Sequence, residues 1–188
     1  VKNMNVYDFD NTIYNGDCTI DFWKHCIKKY HKTLLAFPSA IIYGILFYLK
    51  LCKREQFKQK FYTFLKYVPN VQHETELFLG SHNKKIKEFY KKQKCSNDVI
   101  ISASPEFLIA EVSKMLGVRY IASKVNTTTG ALESKNCRGS EKVRRFKEQY
   151  PYENIENFYS DSLSDIFMAK ESKRAYLIKG NTIIEWRV

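Results

Sequence analysis

The sequence predicts an α/β fold: a parallel sheet whose strands alternate with helices, interrupted early by a long helical insertion. Three observations carry this reading. Short apolar runs at 4–9, 98–101 and 155–159 are each followed by small polar or acidic residues, the pattern of buried strands with chemistry at their carboxyl ends. Between the first two runs the apolar period becomes helical. Finally, 188 residues with 44% apolar and 15% aromatic content suffice for one domain with a buried core, which excludes a disordered basic protein.

Taken in order, M-N-V-Y-D-F at 4–9 reads as the first strand and leads into Asp10, Asn11 and Thr12. From Asp17 to Lys94, apolar residues recur at threes and fours (Ile20, Trp23, Ile27; Phe57, Phe61, Phe64, Leu65), so this block is read as helical. Asp98 to Ile101 forms a second strand before Ser102, Ala103, Ser104 and Pro105, and Pro105 opens a helix that Gly117 closes. Residues 119–123 and 124–133 read as short strands, the latter folded into a hairpin at 127–130. A basic helix is expected at 140–149 and a third buried strand at 155–159. Two more strands, 175–178 and 182–186, are joined by a Gly180-Asn181 turn. No repeat or low-complexity tract interrupts the pattern.

Lys and Arg total 31 against 20 Asp and Glu, a formal charge of +11. That excess points to an anionic partner: nucleic acid, a membrane surface or a phosphorylated small molecule. The basic cluster 84–94 alternates with Ile86, Phe89 and Tyr90 at helical spacing, which reads as an amphipathic helix with a solvated lysine face. No DNA-binding motif or aromatic stacking series accompanies it, so no nucleic acid is expected. The five cysteines are widely spaced without a C-x-x-C pair. They fit a reducing, cytoplasmic setting better than a disulfide framework or a zinc site. No signal peptide is expected, because the first apolar stretch runs into Asp8 and Asp10.

Asp8 and Asp10, two apart at an extended strand end, can face one pocket and either share a proton or hold a cation. A turn cluster is the plainer alternative for such a pair. An EF-hand loop is not, because Ile13 stands where glycine is needed and Thr19 where the bidentate glutamate is needed. Asp161 and Asp165 follow the third strand, Ser102 ends the second, and Lys142 starts the basic helix. Each alone reads equally as a helix cap or solvated surface. Together they supply what hydrolysis of a phosphate ester requires: a nucleophile, a general acid, hard ligands for Mg2+, and donors to the phosphoryl oxygens.

These residues resemble the haloacid dehalogenase superfamily of phosphohydrolases, and within it the subclass that includes phosphoserine phosphatases. The four motifs stand in order as D-F-D-N-T (Asp8 to Thr12), I-S-A-S (Ile101 to Ser104), G-S-E-K (Gly139 to Lys142) and S-D-S-L-S-D (Ser160 to Asp165). The resemblance implies a Rossmann-like three-layer core, 1–16 and 95–188, and a helical cap, 17–94. It implies that Asp8 is the nucleophile and Asp10 the acid/base. Asp8, Asp161 and the Asp10 carbonyl would bind Mg2+, supported by Asp165. Ser102 and Lys142 would bind the phosphate, and Thr12, which orients the loop, counts with them. Ser104 competes for the role of Ser102, and Ser160 stands where many members carry glycine. The acid at Asp10 favours a phosphatase over a dehalogenase.

Substrate class turns on the uncharged stretch 33–49. A single membrane span there would part Asp8 from Ser102, which must reach the same phosphate, so a span is excluded on that site. Two readings stay open. In one, Ile41, Ile42, Ile45, Leu46 and Leu49 form the interior of the cap. In the other, this segment meets a membrane interface, with Lys28, Lys29, Lys32, Lys50, Lys53 and Arg54 on anionic headgroups. The expected substrate is accordingly a small or amphipathic phosphorylated metabolite. The alternatives are a lipid phosphate such as phosphatidylglycerophosphate, or a module that binds anionic lipid without turnover.

Overall fold

The computed structural model describes residues 3–188; Val1 and Lys2 lie outside the described residues. The sheet contains β1 (Asn3–Tyr7), β2 (Val99–Pro105), β3 (Arg119–Ser123), β4 (Asn154–Ser160), β5 (Ser172–Lys179) and β6 (Thr182–Glu185). Their order is β3-β2-β1-β4-β5-β6, all parallel except β6, which returns antiparallel to β5. The chain therefore leaves β1 toward one edge and later returns to β4 on its other side. That reversal opens a crevice at the carboxyl ends of β1 and β4, the usual place for a ligand in such sheets.

Side chains alternate across the strands as a sheet buried on both faces requires. Tyr7, Ile100 and Tyr159 enter one core, while Val6, Val99, Ile101 and Phe158 enter the other. In the first core, Tyr7, Tyr159 and Tyr176 sit in register on β1, β4 and β5. Their rings stack at 4.6 and 4.9 Å, with interplanar angles of 6° and 15°. The second core is covered by α7 (Ser140–Gln149) and α8 (Ile166–Lys170), through Phe146, Met168 and Ala169. The first is covered by α6 (Glu106–Leu116) and by helices of the insertion.

Between β1 and β2 lie α1 (Cys18–Lys29), α2 (Phe37–Tyr48), α3 (Arg54–Tyr62), α4 (Val71–His82) and α5 (Glu88–Gln93), with 3-10 turns at His31–Ala36 and Thr63–Tyr67. Asp17 caps α1 by accepting from the backbone N–H groups of Thr19 and Ile20 at 2.9 and 3.0 Å. Phe22 on α1 is fully buried, with its ring 5.5 to 6.2 Å from those of Phe64, Phe78 and Phe107. Because Phe107 belongs to α6, this aromatic hub joins the insertion to the sheet-covering layer. Glu74 on α4 is 1% exposed and accepts from Lys29 Nζ at 2.7 Å and the Tyr30 hydroxyl at 2.8 Å, with His25 Nε2 at 3.1 Å.

Three local expectations are corrected. Ile41, Ile42, Ile45 and Leu49 do not form an interior; they are 47, 56, 54 and 56% exposed. α2 is apolar all round and packs through its small positions: Ala40 is its one buried residue, and Gly44 lies against Phe57. At 124–133 the expected strands shrink to a single bridge, Val125 to Leu132. There the Asn126 side chain accepts from Thr128 and Thr129 N–H at 3.0 and 2.9 Å, so the polar run closes as a turn. The lysine-rich stretch 84–94 is not one solvated helix. Lys87 is extended and buried, and its ammonium donates to the carbonyls of Asn11 and Gly180.

Two predictions follow from this packing. Gly130 has φ +73°, and a Cβ there would stand 2.3 Å from the Tyr62 carbonyl oxygen. Gly130→Ala should thus cost at least about 2 kcal/mol in urea unfolding, more than a left-handed φ alone. For Glu74, burial pushes the carboxyl upward, but hydrogen bonds from Lys29, Tyr30 and His25 outweigh it and hold the group below 4.5. A depressed folded value means the contribution is complete above pH 4.5 and lost as pH falls through the folded pKa. Glu74→Gln should be less stable than the parent by about 1–3 kcal/mol near neutrality, with the gap closing in acid, as thermal unfolding against pH will read.

Candidate active site

The carboxyl ends of β1, β2 and β4 open into a cavity of about 310 Å³. Asp8 lies one residue past β1, tied to β4 by its N–H donating to the Tyr159 carbonyl at 2.8 Å. The chain then tightens into a loop in which the Phe9 carbonyl accepts from the N–H groups of Thr12, Ile13 and Tyr14 at 3.2, 2.9 and 2.9 Å. Asn11 takes a positive φ of 55°, which an asparagine tolerates better than most residues. This turn directs both Asp8 and Asp10 into the cavity. Thr12 is fully buried beneath the loop, and its hydroxyl accepts from the Asp161 N–H at 2.9 Å, holding the loop after β4 against the loop after β1.

Lys142, in the first turn of α7, is 2% exposed and places its ammonium 2.7 Å from both Asp8 Oδ1 and Asp165 Oδ2. The Ser160 hydroxyl donates to the same Asp165 oxygen at 2.9 Å. Burial acts against the Lys142 charge, but the two carboxylates outweigh it and raise the group above the ordinary lysine range. For Asp8, burial dominates and pushes the carboxyl up to about 7, with Lys142 pulling it down and Asp165 and Asp10 adding repulsion.

No cation among the described residues hydrogen-bonds Asp10. Its carboxylate accepts from the Cys18 N–H at 2.7 Å and from the Ser104 hydroxyl. Burial and the neighbouring Asp17 push it up to about 6. Both Ser102 and Ser104 line the cavity. The Ser104 hydroxyl donates to Asp10, and the Ser102 hydroxyl accepts from the Ser104 N–H at 3.0 Å.

Asp161 lies within hydrogen-bonding reach of Asp8, and burial raises its carboxyl. Asp165 adds repulsion and Lys142 pulls it down, and two carboxylates lining one cavity suit a hard cation. No group of three or more His, Cys, Asp or Glu side chains among the described residues forms a metal cluster. Mg2+ needs none, because one or two carboxylates, a carbonyl, water and a substrate phosphate oxygen complete its octahedron. Asp8, Asp161 and the Asp10 carbonyl match that donor set.

All seven residues singled out from the sequence converge here: Asp8, Asp10, Ser102, Lys142, Asp161 and Asp165 line the cavity, and Thr12 supports it from below. Sequence reasoning missed the opposite wall. Arg54, Phe57, Lys58 and Phe61 of α3, with Arg138 before α7, line the same cavity as Asp8 and Asp10. Lys58 donates to the Ala103 carbonyl at 2.7 Å and to Asn136 Oδ1 at 2.9 Å, and burial pushes its ammonium down to about 8. Burial and the nearby Arg138 likewise lower Arg54. The signal was present as R-x-x-F-K-x-x-F at 54–61, whose i, i+3, i+4 and i+7 spacing puts a mixed cationic and aromatic face on one side of a helix.

This constellation, at the switch point of a parallel sheet, defines a hydrolase with a carboxylate-based site. Residues 6–170 match the sequence profile of the haloacid dehalogenase-like hydrolases, and the chain belongs to that family. No curated protein sequence matches it significantly. Among solved structures it resembles a protein of unknown function from Bordetella pertussis Tohama I (16% identity, TM-score 0.75, 93% of this chain and 89% of that one). It also resembles a phosphoserine phosphohydrolase-like protein from Francisella tularensis subsp. tularensis SCHU S4 (13%, 0.57, 93% and 86%). A third similar structure is a phospho-aspartyl intermediate analogue of phosphoserine phosphatase (18%, 0.58, 93% and 85%). At these identities the likeness is one of fold.

The buried ion triad generates a direct prediction. Lys142→Ala leaves Asp8 and Asp165 facing one another without their shared cation, so the variant should lose about 3–5 kcal/mol of unfolding free energy in denaturant titration at neutral pH.

Proposed function

We propose that the protein is a Mg2+-dependent phosphomonoester hydrolase that works through an aspartyl-phosphate on Asp8. The observation that carries this is the unequal treatment of two neighbouring carboxylates. Asp8 sits 2.7 Å from the Lys142 ammonium, whereas Asp10 accepts from the Cys18 N–H and the Ser104 hydroxyl. Burial raises both carboxyls, Asp8 to about 7 and Asp10 to about 6, so their contacts distinguish them: an ammonium in contact favours the anion that a nucleophile needs, and a carboxyl held by an amide and a hydroxyl is free to exchange a proton near neutrality.

In this reading an Asp8 oxygen attacks phosphorus and the bond from phosphorus to the leaving alkoxide breaks. Asp10 delivers its proton to that alkoxide. In the second half Asp10 takes a proton from water as the water oxygen attacks phosphorus, and the Asp8 carboxylate leaves. Ser102 and Lys142 hold the transferring phosphoryl oxygens, Thr12 fixes the loop that aims both aspartates, and Asp165 keeps Lys142 in place. Bound between Asp8, Asp161 and the Asp10 carbonyl, Mg2+ would neutralise the charge gathered there. Residues 17–94 act as a cap over a core of 1–16 and 95–188: α1 and α3 supply one wall of the cavity and the strand ends supply the floor.

The substrate in this reading is a small or amphipathic phosphorylated metabolite, since the wall combines Arg54, Lys58 and Arg138 with Ile20, Phe57 and Phe61. One observation favours a second reading, a phosphomonoester carried on a lipid and met at a membrane surface. The aromatic wall residue Phe57 is also the contact on which the exposed apolar helix α2 rests.

Turnover of a generic aryl phosphate should require added Mg2+ and stop in excess chelator. Asp8→Asn should lower kcat at least about a thousandfold and abolish trapping by beryllium fluoride, and Asp10→Asn should lower it about 10²–10⁴-fold. Full activity of Asp8→Asn would falsify the proposal.

A further inference from the structure

α2 presents two faces of opposite use. Ala40, Gly44 and Phe47, spaced at four and three, turn toward α3: Gly44 lies against Phe57, and Phe47 stacks on the same ring at 6.1 Å. Ile41, Ile42, Ile45 and Leu49 repeat on the other side and are about half exposed, with Tyr48 at 85%. Leu35 and Leu51, just beyond either end of the helix, extend this surface at 65 and 71% exposure. A soluble domain rarely leaves so continuous an apolar patch uncovered unless something binds it.

Charge selects the occupant. Between Asp21 and Glu55 the chain has no acidic residue, while Lys24, Lys28, Lys29, Lys32, Lys50, Lys53 and Arg54 all fall there. Lys28, Lys32, Lys50 and Lys53, at the two ends of the apolar stretch, are exposed. A second copy docked face to face would bring these like charges together. A bilayer carrying anionic headgroups offers apolar depth and opposite charge at once. Twelve residues of α2 reach only about 18 Å, short of a hydrocarbon core of about 30 Å. None of the helices among the described residues is long and apolar enough to cross a membrane.

We infer that the outer face of α2 is an interfacial docking surface for an anionic lipid bilayer. The helix lies along the headgroup plane, Ile41, Ile42, Ile45 and Leu49 enter the acyl boundary, and the flanking lysines meet lipid phosphates. α3 is packed beneath it and lines the cavity with Arg54, Lys58 and Phe61, so docking holds the cavity wall about one helix diameter from the headgroups. The docking surface stands on its own residues. Its consequence, a substrate drawn from the bilayer, rests on the lipid-borne reading of the site.

The test is flotation of the full chain with vesicles of phosphatidylcholine alone or mixed with phosphatidylglycerol, at low and high salt. The protein should rise with the anionic vesicles and less so at high salt. Ile42→Asp/Ile45→Asp should reduce the bound fraction about tenfold or more, and Lys50→Glu/Lys53→Glu should weaken binding and flatten its salt dependence. Both variants change exposed side chains and should keep parental turnover of a soluble aryl phosphate. Failure of the parent to float with anionic vesicles at low salt overturns the proposal, as does a parental dimer that Ile42→Asp/Ile45→Asp dissociates. Hydrolysis of detergent-dispersed phosphatidic acid is read separately; its absence removes the lipid substrate alone.

Discussion

The structure depends on one buried ammonium. Taking a lysine and two carboxylates out of water costs several kcal/mol per ion, and the mutual attraction returns it only if the geometry is close. Here each partner comes from a different part of the chain: Asp8 from the end of β1, Asp165 from the turn after β4, and Lys142 from the start of α7. The 2.7 Å from Lys142 to each carboxylate therefore demands that the β1–β4 pairing and the seating of α7 on the sheet both be correct. The stacked tyrosines on β1, β4 and β5 fix the same register from the opposite face, without any charge. The Asp8 N–H bond to Tyr159 and the Thr12 bond to Asp161 carry that register into the loops.

Within this clamp, similar burial gives Asp8 and Asp10 different work. Both carboxyls are raised by desolvation. Asp8 has the Lys142 ammonium in contact, whereas Asp10 accepts from an amide and a hydroxyl. Two titratable groups two residues apart are thus given different surroundings by what touches them. Lys87 extends the support: buried and donating to the Asn11 carbonyl and to Gly180, it anchors the loop just after Asp10 to the turn after β5.

The floor of the site was legible in the sequence because its chemistry is local. Asp8, Asp10 and Thr12 follow one strand, Ser102 and Ser104 lie in the carboxyl end of a second, and Asp161 and Asp165 follow a third, so strand ends and spacing sufficed to group them. The sheet was legible for the same reason, since apolar runs that end in polar residues mark parallel strands directly. What escaped were contacts between distant segments. Lys87 looked like one of many surface lysines, because nothing in 84–94 reveals that the Asn11 and Gly180 carbonyls converge on it. The apolar stretch 33–49 was ambiguous because α2 is apolar all round, and only its packing shows that Ala40, Gly44 and Phe47 face inward. At 124–133 the two arms pair through Asn126 N–H to Ala131 and Glu133 N–H to Lys124, but the Asn126 side chain closes the turn so early that the pairing stays a single bridge.

This division between floor and wall also limits what can vary. The floor residues are bonded to one another, so changing any of them disturbs the buried charges and the strand register together. The wall residues of α3 are held differently. Arg54 lies over the Phe47 ring, Phe57 rests on Gly44, and Lys58 alone reaches across to the strand side through Ala103 and Asn136. Their positions depend on the seating of the insertion rather than on the clamp. Substitution along 54–61 can therefore reshape the cavity wall while Asp8, Asp165 and Lys142 keep their geometry. The net charge of +11 divides along the same line. Lys142 is neutralised inside the clamp, whereas Lys28, Lys32, Lys50 and Lys53 of the acid-free stretch between Asp21 and Glu55 stay exposed.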